Sequence, residues 1–428
     1  MSTAQASAAI ADITYEDLYR RWEQGNWQAT DIDFSEDRNG WEALTEIQRK
    51  SARWIYSMFF YGEDSVADNL SPYIDAAPRE EQKYFLATQQ VDEARHAVFF
   101  HRFFKEVIGA GDTIQATLAS TETELNWGYR NVFDRLDRMA EELRRDRSLP
   151  KFAQAIALYH LVVEASMAQP GQHFIEDFFV KEGTMPGFVE GMANVSRDEQ
   201  RHIGFGVKIL SELFEETDEC KAAVHELLLE VMPYVAAVFN PPNFDREYTR
   251  CYGFEMEDIF EFGMKSILTK WRAIGWPLEE MPGVFPVDYS LEHSELAKRQ
   301  IRLLEAKIIG EPHPYPDSDP EVQGLFFDLV ARSADTSAVN SKPFTIQWRF
   351  KDAEPWHVIV QNGSTRAERG VAPDPDLTWK TTWAEWIGLS KGSVDARKAI
   401  LRRDLRFDGS LRNLYRFTQT FPRRRALG

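Results

Sequence analysis

The chain has 428 residues, enough for more than one domain, with 68 Asp and Glu against 50 Lys and Arg and a formal charge of −18. That balance excludes a nucleic-acid-binding body, because phosphate recognition needs a basic surface. With only Cys220 and Cys251 a disulfide scaffold is excluded, and no run of about 20 apolar residues and no basic leader in Met1–Ile13 occur, so the expectation is a soluble cytoplasmic protein.

Tyr15 to Trp22 has helical spacing, and Asn26 to Asp37, rich in Asp, Asn and aromatics, reads as an irregular wrap. From Trp41 to Leu70 there is no proline, and Tyr56, Phe59, Phe60, Val66, Ala67 and Leu70 lie three, four or seven residues from Glu63. Glu63 thus stands alone in an apolar stripe, where an unpaired carboxylate would cost several kcal/mol. Pro72 and Pro78 bracket a turn, and Arg79 to about Val107 reads as a second long helix. It carries Asp92-Glu93-Ala94-Arg95-His96. Glu122 to Arg147 is a polar amphipathic helix, and another starts at Leu149-Pro150 and runs to Ala168. There Glu164 is the second lone carboxylate, among Ala157, Leu161, Met167 and Ala168. Pro170, Gly171, Gly183, Pro186 and Gly187 supply breaks before the next helix, which carries Asp198-Glu199-Gln200-Arg201-His202. Ala222–Phe239, Met256–Ile274 and Leu291–Ile309 read as packing helices.

Glu311 to Pro320, with four prolines and three acids, reads as a linker between residues 1–310 and a second domain over 321–428. The period then shifts towards two at Ile346, Trp348 and Phe350 and at Val358 and Val360, and Asn362-Gly363 is a hairpin signal. Trp379–Leu389 and Ser393–Ile400 read as helices, which makes this domain α+β. From Lys391 onward Lys and Arg outnumber acids, ending in Arg423-Arg424-Arg425. This is a solvated basic face on one reading and a peripheral contact with anionic lipid on the sharper one.

The two Asp-Glu-x-Arg-His runs repeat one plan. A helix presents i and i+3 on one face, so Glu93 pairs with His96 and Glu199 with His202, and Glu63 and Glu164 complete the six groups of a two-metal four-helix bundle. Four carboxylates and two imidazoles without sulfur favour iron or manganese over zinc or copper. Four negative charges balance two divalent ions and suit dioxygen as the oxidant. Asp92 and Asp198 are placed to accept the second ring N–H of a ligand His across the bundle, with Arg95 and Arg201 neutralising them.

On these residues the chain resembles the ferritin-like superfamily, specifically the ribonucleotide reductase small subunit and its relatives, over about residues 20–310. Asn26 to Ser35 followed by Trp41, the Gly62-Glu63 step and Val162-Val163-Glu164 are similar to the ligand-binding oxidase group of those relatives. The resemblance implies a di-iron or manganese–iron centre, a long-chain fatty-acid-like ligand, an external electron donor and a homodimer. It also implies an ether cross-link between Val66 and Tyr159, for which a π-bulge would turn Tyr159 towards the face of Glu164. A core valine and a buried, hydrogen-bonded tyrosine fit the same residues.

Two other readings stay open. Reductase subunits carry a radical Tyr four residues after the first His, where this chain has Phe100; some of them also have Phe there and use a manganese–iron centre, but they end in a docking tail where this chain has a folded domain. The paired motif also resembles bacterial multicomponent monooxygenases, which keeps hydroxylation open. Residues from about Glu321 to Phe421 resemble the sterol-carrier-protein domain through Trp348, Pro373-Asp374-Pro375-Asp376-Leu377 and Phe407-Asp408-Gly409-Ser410. That resemblance implies lipid binding. The fold expected is therefore mainly α, a ferritin-like dimetal bundle with extra helices followed by a small α+β sterol-carrier-like domain. The function expected is an oxidase or monooxygenase on a hydrophobic ligand, the alternatives being a lipid-binding protein with a single-turnover site and a reductase small subunit.

Overall fold

Residues 13–277, 283, 286–339 and 342–421 are described by the structure, a computed structural model. The Ala- and Ser-rich start as far as residue 12 and the Arg423-Arg424-Arg425 end lie outside them. The chain forms two compact units, one of the described residues up to Leu227 with Val238–Trp276, the other of Leu228–Ala237 and the described residues from Pro277 on.

The first unit is helical: α1 Tyr15–Gln24, α2 Asp37–Ala43, α3 Glu46–Asn69, α4 Ser71–Ala76, α5 Glu80–Phe103, α6 Ile114–Thr121, α7 Trp127–Arg145, α8 Leu149–Ile156, α9 Gln169–Glu182 and α10 Pro186–Glu216, then α11 Asp218–Val235, which runs past Leu227, and α12 Glu247–Arg250 and α13 Met256–Ala273. Local chemistry sets the ends. Thr45 and Gln48 close a reciprocal capping box at the start of α3. Pro186 occupies the first turn of α10, and the buried Asp37 carboxylate of α2 accepts the Gly187 and Phe188 N–H groups at 3.0 and 2.7 Å. The irregular stretch before Asp37 is thereby tied to the helix that carries Glu199 and His202.

One expectation fails between Glu164 and Glu199. Pro170 and Gly171 do not break the helix, because α8 continues into a π-helix over Ala157–Ala168 and then into α9. Pro170 falls where the π-helix passes into α9, and Gly171 lets the Phe59 ring approach: a Cβ there would lie 3.0 Å from Phe59 Cζ. The chain turns instead at Gly183, whose φ is +62°.

In the second unit α14 His293–Glu305 and α15 Pro320–Arg332 precede a five-stranded sheet: β1 Phe344–Phe350, β2 Trp356–Gln361, β3 Ser364–Arg369, β4 Leu377–Thr381 and β5 Arg406–Gly409. Helices α16 Trp383–Ser390, α17 Ala396–Arg402 and α18 Leu411–Thr420 complete it. The strand order is β3-β2-β1-β4-β5, antiparallel except for the parallel β1–β4 pair. Asn362 and Gly363, with φ of +50° and +76°, make the two-residue β2–β3 turn. Trp379 corrects the helix expected from that residue. It sits in β4 against Trp348 of β1, and the helix begins only at Trp383, after Thr382 caps it. The core of this unit includes Phe326, Phe327, Trp348, Trp379, Trp383 and Trp386.

Candidate metal centre

Four helical segments supply the centre. Glu63 comes from α3, Glu93 and His96 from one face of α5, Glu164 from the π-helix, and Glu199 and His202 from one face of α10. All six side chains are buried, none more than 6% exposed. Their ligand-type atoms form two sets, Glu63, Glu93, His96 and Glu199, and Glu93, Glu164, Glu199 and His202, the atoms of each within 4.8 Å of one another. Glu93 and Glu199 belong to both sets. Each set therefore has one carboxylate and one imidazole of its own and shares two carboxylates, the arrangement that two adjacent ions require.

The imidazoles are oriented from behind. His96 Nε2 lies 3.2 Å from Asp198 Oδ2 and His202 Nε2 lies 3.1 Å from Asp92 Oδ2, each aspartate reaching the histidine of the opposite motif. Because a carboxylate only accepts, each ring donates from Nε2 and turns Nδ1 to the centre. Nδ1 of His96 stands 3.1 Å from Glu63 and 3.6 Å from Glu199; Nδ1 of His202 stands 3.2 Å from Glu93 and 3.3 Å from Glu164. Arg201 donates to both Asp92 and Asp198, at 2.6 and 3.0 Å, and Arg95 pairs with Asp92.

The donor set fits cations. Glu164 Oε2 and Glu199 Oε2 are buried and have no hydrogen-bond partner among the described residues, and each unsatisfied atom in such a place is costly. Burial pushes Glu63 up to about 8 and Glu164 up to about 7. Burial and the neighbouring Glu164 and Glu93 raise Glu199 well above the carboxylate range. Burial opposes charge on Glu93, but His202 and His96 hold it well below the usual range. Burial likewise opposes charge on His96 and His202, and is outweighed by Glu63 and Asp198 for one and by Asp92, Glu164 and Glu93 for the other, so both are raised. Protons thus hold the metal-free cluster together.

A pH dependence follows. The folded-state values of Glu63 and Glu164 lie above the ordinary value of about 4.3, so their stabilising contribution is complete below about pH 4 and is lost as pH rises through 7 to 8. The raised histidines act in the same direction. Metal-stripped protein is expected to melt at progressively lower temperature from pH 6 to 9, while the gain in Tm on adding Mn²⁺ grows. A stripped protein with a flat Tm over that window would contradict this reading of the cluster.

An apolar cavity of about 60 Å³ opens on the carboxylates. Ile55, Met58, Phe59, Val163, Met167 and Phe239 line it beside Glu63, Glu93, Glu164 and Glu199. Val66 and Tyr159 line it too. Tyr159 is five residues before Glu164 within the π-helix, whose i→i+5 repeat sets the two on one face, and its hydroxyl donates to Glu93.

With that geometry in place, sequence comparison decides the family: residues 8–238, more than half of the chain, match the family described as "Ribonucleotide reductase, small chain". The chain belongs to that family. Among solved structures, a point variant of an R2-like ligand-binding oxidase with anaerobically reconstituted Mn/Fe cofactor aligns at TM-score 0.52 and 23% identity, covering 61% of this chain and 94% of that one. The R2-like ligand-binding oxidase from Sulfolobus acidocaldarius aligns at 0.51 and 23%, covering 63% and 94%. These matches show that the helical unit has the ferritin-like fold of the small chain. Residues 323–424 match a different family, described as "Alkyl sulfatase C-terminal".

Sequence reasoning missed four residues around this small-chain centre. Trp22 Nε1 donates to Asp92 at 2.9 Å and Trp27 Nε1 to Asp198 at 2.8 Å, so the N-terminal wrap contacts both orienting aspartates. No local pattern marks those tryptophans. Gln89 Nε2 donates to Glu164 at 2.9 Å, and Gln89 Oε1 lies 3.1 Å from Nε2 of the buried His160, which burial pushes down to about 3 and keeps neutral. Here a signal existed, since Gln89 lies four before Glu93 and His160 four before Glu164. His160 also needs Gly206, one turn beyond His202: a Cβ there would stand 2.2 Å from His160 Cβ. Gly206→Ala is expected to cost about 1–3 kcal/mol of stability, read as a lower denaturant midpoint.

Proposed function

We propose that the chain is an oxygen-activating dimetal oxidoreductase, an oxidase or monooxygenase, that holds di-iron or manganese–iron and acts on a hydrophobic, fatty-acid-like molecule. The observation that carries this is the pair of Glu/His sets sharing Glu93 and Glu199 at the wall of an apolar cavity. Glu63, Glu93, His96, Glu164, Glu199 and His202 would hold the ions, Glu93 and Glu199 being common to both sets. Bound there, the ions would activate dioxygen for attack on an unactivated C–H bond. The chain's own part is physical. Phe59, Met58, Met167 and Phe239 hold an alkyl chain and keep water from the reacting carbon, while Asp92 and Asp198 hold each imidazole with Nδ1 forward. Repeated turnover needs an external electron donor.

A second reading, a lipid-binding protein whose centre reacts once, is favoured by Val66 and Tyr159 lining the same cavity. Phe100, fully buried and stacked on Phe59, puts no phenol at that position to hold a radical, and by itself it leaves the reductase role open.

We read residues 1–310 as the metal domain, 311–320 as the linker and 321–428 as a sterol-carrier-like lipid-binding domain; the compact units divide earlier, after Trp276, so that α14 goes with the second. Trp348, Trp379 and Trp386 support the last part. Their rings meet beside Phe417, and none of the three buried indole N–H groups has a partner among the described residues, which suits an apolar ligand with one acceptor group. A homodimer is supported by the outward stripe Tyr84, Ala87, Val91 and Ala94 on α5, all exposed. No described helix is long and apolar enough to cross a membrane, and both cysteines are free, consistent with a cytoplasmic location.

Anomalous scattering at the iron and manganese edges, combined with product counting under air with a reductant and a long-chain fatty acid, tests this reading. Two ions per chain and several products per chain are expected. A single ion, or zinc held by His96 and His202 alone, would refute the six-ligand assignment; one event per chain would select the single-turnover reading.

A further inference from the structure

The segment from α17 through β5 to α18 carries an unusual surface for so acidic a chain. Over Ala396–Thr420 seven Lys and Arg stand against two acids, while the whole chain has a net charge of −18. Apolar side chains stand among those cations. Ile400 is 44% exposed, Leu401 84%, Leu411 76% and Tyr415 67%, four of the eleven large hydrophobic residues exposed among the described residues. Leu411 and Tyr415 are four apart on α18 and so share a stripe, whereas Leu414 and Phe417 pack against the core of the unit and Arg412 and Arg416 flank the stripe. On α17 and the turn after it, Arg397, Lys398, Arg402 and Arg403 surround Ile400 and Leu401. Arg402, Arg403 and Arg412 make no ion pair among the described residues, so their charge is not spent within the fold.

From this we infer that α17, β5 and α18 form a docking face for an anionic lipid surface. Uncompensated positive charge stands there beside exposed apolar tips. An interfacial helix sets aliphatic and aromatic side chains into the headgroup boundary while Lys and Arg meet lipid phosphates, and this face has both parts in one segment. A nucleic acid would use the cations but give Leu401 and Leu411 nothing to enter, and an acidic protein surface would leave them equally exposed to solvent. The inference stands apart from the oxidase reading, because it uses no residue of the metal centre.

The test is sedimentation of the full-length, metal-loaded protein with vesicles of phosphatidylcholine alone or with about a third phosphatidylglycerol. The expected result is binding to the anionic vesicles, at least about tenfold weaker to the neutral ones, and a loss of similar size on raising the salt from about 0.1 to 0.5 M. Leu401→Asp combined with Leu411→Asp is expected to reduce binding at least about tenfold, with metal content and melting temperature kept, since both side chains are exposed. Should that variant fold poorly, Arg402→Glu with Arg412→Glu serves the same purpose. Binding equal on neutral and anionic vesicles, or none on either, would overturn the proposal. So would a double-Leu variant that binds vesicles undiminished, or a DNA duplex bound more tightly than the anionic vesicles at the same salt.

Discussion

Glu199→Ala is expected to remove both metal ions, whereas Glu63→Ala removes one. Glu199 belongs to both ligand sets, with Glu63 and His96 on one side and Glu164 and His202 on the other, while Glu63 belongs to the first alone. Elemental analysis after loading and desalting should fall from about two ions per chain to well under one for Glu199→Ala, and to about one for Glu63→Ala, metal binding being coupled to the full ligand set. The fold should survive. In the metal-free state Glu199 is a buried carboxyl raised by burial and by Glu164 and Glu93, with one oxygen unpaired, so its removal relieves a cost. The stripped variant is therefore expected to melt no lower than the stripped parent. Full occupancy of both positions in Glu199→Ala would end its role as the shared ligand, and equal losses in the two variants would end the distinction between shared and terminal carboxylates.

The convergence of Glu63, Glu93, His96, Glu164, Glu199 and His202 was readable because each residue is fixed by the helical repeat within its own helix. A lone carboxylate in an apolar stripe leaves few places for that stripe to go other than a common core. The cross-bundle pairing of Asp92 with His202 and Asp198 with His96 followed from the same repeat applied to two equivalent motifs. That the six side chains meet is geometry; that they ligate metal is what the Glu199 experiment decides. Other features depend on chain paths that no local pattern encodes. Trp22 and Trp27 reach Asp92 and Asp198 only because the N-terminal wrap crosses the bundle there, and Arg95 holds that wrap by donating to Asn26 Oδ1 and the Trp27 carbonyl. Pro170 and Gly171 look like a break, yet the π-helix ahead of them and the ring of Phe59 beside Gly171 suit an unbroken helix. Trp379 has helical neighbours in sequence, but pairing with β1 from a distant segment makes it strand, a case of tertiary context overriding local preference.

The second large effect is expected at Val66 and Tyr159. Aerobic loading of the metal-free protein should lower the intact mass by about two daltons, the difference between two separate side chains and one ether, with dioxygen as the oxidant the centre uses. One C–H bond of Val66 and the O–H bond of Tyr159 break, one C–O bond forms, and the two hydrogens with their electrons reduce dioxygen to hydrogen peroxide. The chain is arranged for this. Val66 is three residues beyond Glu63 on α3 and so stays on its face, and both side chains line the cavity that the carboxylates share. Burial, then the neighbouring Glu93, Glu164 and Glu199, raise the Tyr159 phenol well above its usual range, so it keeps its proton and donates it in a hydrogen bond to Glu93. Tyr159→Phe keeps all six side chains of the cluster, so it should take up both ions and show no mass change. Loading without oxygen should also leave the mass unchanged. Recovery of unmodified peptides bearing Val66 and Tyr159 after aerobic loading would exclude the ether and leave an external hydrophobic molecule as the group the centre oxidises.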